Sequence, residues 1–194
     1  MLGHAASWRV SAMLTAIVVL TAGCGGSSSP APQAKGPSGS TTVGAGHVAE
    51  PVGATPSKSA RMICTLEAQQ QILADATGVR TTQPAVATWK NNLYSCRYTY
   101  GSSVMVLSVK ELANQADTDE YFASLGRRLG VSRRVRLGQD AFVLRNGSVV
   151  VRKDFKVLLV DMSKLPQQFG LPVDSHENIA LNAASAIMDC WTGE

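Results

Sequence analysis

The sequence predicts an α+β domain: an antiparallel sheet of about five strands with helices packed on one face, in the order α-β-β-α-β-β-β-α. Three observations lead there. Alternating apolar segments are joined by tight-turn dipeptides, Gly101-Ser102 and Asn146-Gly147, so that consecutive strands pair antiparallel. Two stretches carry helical spacing behind an acidic capping pattern, Asp117 with Glu120 and Asp174 with Glu177. Runs of strands separate the helices instead of alternating with them one for one, the pattern of α+β domains.

In chain order, the first helix is expected to begin at Cys64 or Thr65 and to end before Gly78, with Leu66, Leu73 and Ala76 on its apolar side. A loop holding Pro84 follows. Leu93 to Tyr100 then alternates, with Tyr94, Cys96, Tyr98 and Tyr100 on one face and Ser95, Arg97 and Thr99 on the other. Val104 to Val109 returns as a β-branched strand. The helix opened by Asp117 puts Tyr121, Phe122, Leu125 and Leu129 on one face. After Gly130 the period changes, with a further strand conceivable near Val135. Ala141 to Leu144 and Ser148 to Arg152 form a hairpin, for which Asn146-Gly147 suits a type I′ turn. Lys156 to Val160 is the last strand. The last helix aligns Ile179, Ala183, Ala186, Ile187 and Cys190.

The chain has 194 residues and divides into three by composition. Residues 1–23 read as a signal peptide: Arg9 supplies a positive charge, and Val10 to Leu20 is apolar but too short for a permanent span of about 20 residues. The end of this segment, Leu20-Thr21-Ala22-Gly23-Cys24, resembles the lipobox of bacterial lipoproteins, although Thr21 stands where leucine is commonest. That resemblance implies cleavage before Cys24 and a covalent diacylglycerol on its thiol, with acyl chain (palmitate) added at the new terminus. Residues 24–60 read as the lipidated cysteine and a tether, because Gly25 to Ala60 contains no Phe, Trp, Tyr, Leu, Ile or Met. Such a segment cannot bury enough apolar surface to offset the entropy of ordering. Residues 61–194 read as the globular domain.

With Cys24 assigned to lipid, Cys64, Cys96 and Cys190 remain in an oxidising compartment and allow three single bridges. Cys64–Cys96 is favoured, because it would pin the first helix to the tyrosine-bearing strand. Cys190 then reads as a buried free thiol or the competing partner of Cys64.

Arg127, Arg128, Arg133, Arg134 and Arg136 gather within ten residues and form a candidate patch for an anionic lipid headgroup or an acidic or phosphorylated partner. Solvated arginines at a helix C-terminus are the simpler account. The net charge of +4 is too mild to argue for nucleic acid, and no aromatic residues interleave the cluster for base stacking. Asp117, Asp119 and Glu120 are explained by helix capping, and no calcium-loop pattern accompanies them. Trp89, Tyr94, Tyr98 and Tyr100 suit the packing face of a sheet better than the lining of a pocket. The domain has one histidine, His176, and the chain has no nucleophile elbow, phosphate loop or HExxH. No metal, no cofactor other than the lipid on Cys24, and no catalysis are expected.

The segment LTAGC, the Gly/Ser/Pro tether, Ile63-Cys64-Thr65-Leu66, Tyr94-Ser95-Cys96-Arg97-Tyr98 and Gly138-Gln139-Asp140-Ala141-Phe142 together resemble the small secreted lipoproteins of mycobacteria and other actinobacteria grouped in families of unknown function. The resemblance implies a compact α+β envelope domain and transfers no catalytic residue. The expectation is a lipoprotein on the outer face of the bacterial plasma membrane, held by its lipid anchor. It would present a non-catalytic domain to an envelope protein or small-molecule ligand. A carrier of lipid or of another small apolar molecule between sheet and helices is the alternative, as is a domain resembling the extracellular sensors of actinobacterial receptor kinases.

Overall fold

The structure is a computed structural model that describes residues 52–191, so the signal peptide, Cys24 and the tether as far as residue 51 lie outside the described residues. The domain is α+β, built on one seven-stranded sheet whose neighbouring strands all run antiparallel. Two strands more than expected are present.

A short helix α1 (Lys58–Met62) opens the fold, capped by Ser57, whose hydroxyl accepts from the Ala60 N–H. Ser59 and Ala60 are buried, so the packed chain begins a few residues before position 61. The expected single first helix is instead broken: a π-helical turn (Ala68–Ile72) runs into α2 (Leu73–Thr77). A π turn adds a residue to the helical repeat and rotates everything before it. Leu66 is consequently 64% exposed rather than in the apolar stripe, while Ile63, Ala68 and Leu73 are buried. Gly78 ends α2 in the left-handed region (φ 65°), as its position past the end suggested.

One strand was not foreseen: β1 (Val86–Lys90) lies in the stretch read as a loop. It pairs with β2 (Leu93–Tyr100) through the two-residue turn Asn91-Asn92, both at positive φ (51° and 57°). Asparagine tolerates that region better than other non-glycine residues, and two such residues in succession make a hairpin turn. β3 (Ser103–Glu111) returns across Gly101-Ser102. α3 (Gln115–Leu129) starts earlier than expected, because Asn114 is its cap, accepting at Oδ1 from the Asp117 N–H at 2.9 Å. Asp117 belongs to the first turn, where the helix dipole favours an acid.

The further strand conceivable near Val135 is present as β4 (Val131–Val135), which is the far edge and pairs with β5 (Asp140–Leu144). β6 (Val149–Lys153) follows a three-residue turn in which only Gly147 has positive φ (81°), not the two-residue type I′ turn expected. β7 (Lys156–Lys164) inserts between β6 and β3, giving the order β1-β2-β3-β7-β6-β5-β4. α4 (His176–Cys190) is capped by the Ser175 hydroxyl rather than by Asp174, which instead accepts from the Ser175 N–H at 2.6 Å.

The helices do not share one face. Cys96, Tyr98, Met105, Leu107, Leu158, Val160, Val149 and Val151 form one cluster with Ile63, Leu73 and the α4 residues Ile179, Ala183 and Ile187. Strand alternation sends Phe142, Leu144, Val150 and Val157 the other way, onto Phe122 and Leu125 of α3. β5 and β6 are therefore covered on both sides and read as continuous apolar runs, which is what hid the second layer from a one-face expectation.

Candidate functional site

Two groupings from the sequence can be placed, the cysteine–tyrosine face and the arginine cluster. Cys64 and Cys96 are joined by a disulfide with Cα atoms 5.4 Å apart. The bridge ties the segment between α1 and the π turn to the middle of β2. Cys190 stands at the last position of α4 and is not the partner of Cys64, which is joined to Cys96.

Below the bridge, Tyr98 is fully buried and donates its hydroxyl proton to the Ile63 carbonyl, while Tyr100 stacks edge-on against Phe169 with centroids 5.1 Å apart. Tyr94 and Trp89 are half-buried, and the Trp89 Nε1–H donates to the Ala54 carbonyl at 2.9 Å. The stripe packs the core and anchors the entering chain. Burial, reinforced by Tyr100 and Tyr94, pushes the Tyr98 hydroxyl far up, and burial pushes Tyr100 up to about 12 with Thr77 pulling weakly the other way. Above pH 10 the unfolded chain loses phenolic protons that the folded chain keeps, so stability falls as pH rises. We expect cooperative alkaline unfolding to set in between pH 10 and about 12, followed by circular dichroism, and Tyr98→Phe to make the loss shallower. A flat stability profile through that window would count against buried, protonated tyrosines.

The five arginines do not form one patch. Arg127 and Arg128 lie in the last turn of α3, Arg133 and Arg134 in β4, and Arg136 just beyond it. Arg133 sits opposite Val143 on the α4 face and pairs with Glu177, its Nε donating at 2.7 Å. Arg134 sits opposite Phe142 on the α3 face, pairs with Asp140 at 2.6 Å and lies 5.9 Å from the rings of Phe122 and Phe142. Neighbours in a strand point to opposite faces, a division that spacing along the chain does not reveal. Arg127 pairs with Glu120 at 2.6 Å, and Asp119 pairs with Arg152. Glu120 thus serves the surface of α3, and Asp119 ties α3 to β6. Arg136 borders an open depression of about 500 Å³ made by residues 135–140 alone.

His176 was missed as a structural residue. Its Nε2 lies 2.7 Å from the Pro166 carbonyl and its Nδ1 3.2 Å from the Asn146 carbonyl, joining the start of α4 to two loops. Among the described residues no three of His, Cys, Asp and Glu gather as a metal site would require.

No family model, no curated protein and no solved structure matches the chain. The likeness to actinobacterial lipoproteins therefore rests on the residues quoted for it alone.

Proposed function

We propose that the protein is a cell-envelope lipoprotein, anchored through acylated Cys24 to the outer face of the bacterial plasma membrane, that presents a non-catalytic α+β interaction domain. The observation that carries the reading is the Cys64–Cys96 bridge. A structural disulfide persists outside the reducing cytosol, and LTAGC upstream supplies both the export route and the attachment point. No helix of the described residues is long and apolar enough to cross a membrane, so attachment of the domain is assigned to the lipid. The carrier alternative has less support: the space between the sheet and the α4 layer is filled by Tyr98, Met105, Leu107, Met162, Ile179 and Ile187, all fully or almost fully buried.

The test is growth of the producing bacterium on radiolabelled palmitate. The wild-type chain is expected to take up label and to sediment with membranes. Cys24→Ala is expected to lose both properties while keeping the folded domain. An unlabelled wild-type chain, or a Cys24→Ala chain that fractionates unchanged, overturns the assignment.

A further inference from the structure

Four of the six large apolar residues that are most exposed among the described residues lie at one end of the sheet: Leu129 (42%), Val131 (37%), Leu171 (73%) and Val173 (61%). That end is where α3 stops, β4 starts, β5 turns into β6, and the loop after β7 leads into α4. Contacts knit these parts together. The Arg145 N–H donates to the Gly130 carbonyl at 3.1 Å, and a Cβ placed on Gly147 would meet His176 at 2.5 Å.

The loop carrying Leu171, Pro172 and Val173 is built rather than loose. Phe169 and Asp174 bridge its base, the Leu171 N–H donates to the Thr77 carbonyl at 2.8 Å, and Phe169 is stacked on Tyr100. Gly78 is required beneath it, since a Cβ there would stand 1.8 Å from the Leu171 carbonyl oxygen. Three consecutive exposed apolar side chains on a held backbone form a tip whose ordering cost is already met before anything binds.

The charge at this end is basic. Arg128 and Arg145 are exposed and make no ion pair among the described residues, whereas two acids at the start of α4 are engaged, Glu177 by Arg133, and Asp174 by the Ser175 N–H and the Asn178 amide. Apolar side chains that enter the headgroup region, with exposed guanidinium groups at the same end, are the chemistry of an anionic bilayer surface. We propose that this end of the domain docks on anionic phospholipid, a proposal that rests on the envelope reading above.

The attachment geometry permits it. The chain enters at the opposite end, where the Ser57 N–H donates to Glu111 at the close of β3. The nine residues of β3 span about 30 Å. The roughly 27 residues between Cys24 and Val52 have a root-mean-square reach of about 30 Å when flexible, enough to run back along the domain.

The experiment holds the full chain on vesicles through an N-terminal hexahistidine tag and nickel-chelating lipid, so that its outcome does not depend on acylation of Cys24. Amide hydrogen exchange is then followed at residues 128–132 and 170–174, with the β6–β7 turn at 153–155 as the control. On phosphatidylglycerol vesicles both segments are expected to slow, by about fivefold more than on phosphatidylcholine for each cation engaged, and the control to stay unchanged. Arg128→Glu is expected to remove the lipid selectivity and Leu171→Ser to remove protection of the loop, with circular dichroism unchanged for both. Exchange unaltered in both segments, or equal on the two lipids, overturns the proposal. So does protection that appears only with a soluble envelope-protein fraction, which would make this end a protein interface.

Discussion

Phe142→Ala lowers the unfolding free energy by about 3–5 kcal/mol, read from urea denaturation. Phe142 is 1% exposed and lies at the centre of the smaller apolar layer, its ring centroid 4.6 Å from that of Phe122. It sits between Arg134 and Val150 in the neighbouring strands and touches the position where Gly126 lets α3 approach the sheet. Removing the ring leaves a void that one helix across three strands cannot close, and it takes away the surface over which the Arg134 guanidinium lies. Val86→Ala, on the exposed edge strand at 59% exposure, serves as the control and is expected to change stability by under about 0.5 kcal/mol. A loss below about 1 kcal/mol for Phe142→Ala would mean that α3 is not packed on this face.

The Cys64→Ala, Cys96→Ala double variant is expected to lose about 4 kcal/mol, the chain-entropy value for a closed loop of 32 residues. The segment inside that loop is structurally weak on its own. α1 and α2 have five residues each, and a π turn stands between them. Helices so short are not stable without packing. Cys96 is fully buried, so the double variant also loses contacts that the oxidised pair makes with Ile63 and Leu73 in the same cluster. Denaturation of the wild-type chain with and without reductant separates the two contributions. Midpoints that coincide would show the bridge to be thermodynamically idle.

Several features were readable from residues because their causes are local. The alternation of Leu93 to Tyr100 gave the strand with the bounds observed, since a two-residue period places every side chain once the pairing face is chosen. Gly78 marked the end of α2, because only a residue without Cβ sits comfortably where the backbone turns left-handed against Leu171. The Cys64–Cys96 pairing was one of three that the spacing allowed, and proximity in space selected it.

Other features had local signals that competing ones obscured. Asn91-Asn92 marked a hairpin turn, but Pro84 just ahead and the lack of a clean two-residue alternation in Val86–Lys90 made that stretch look like a loop. Asn114, three residues before Asp117, and Ser175, one residue after Asp174, are equally good caps by residue type.

The amino-acid sequence by itself determined the class of the domain, its antiparallel pairing and most of its strands. These follow from period, turn chemistry and composition, which act over a few neighbouring residues. Tertiary structure alone decided that α3 lies opposite the other helices. It also decided that Arg133 and Arg134 part to different faces, and that Leu129 and Leu171 come to one end. Those are relations between residues tens of positions apart, settled by the order in which seven strands insert beside one another, and no short-range pattern encodes that order.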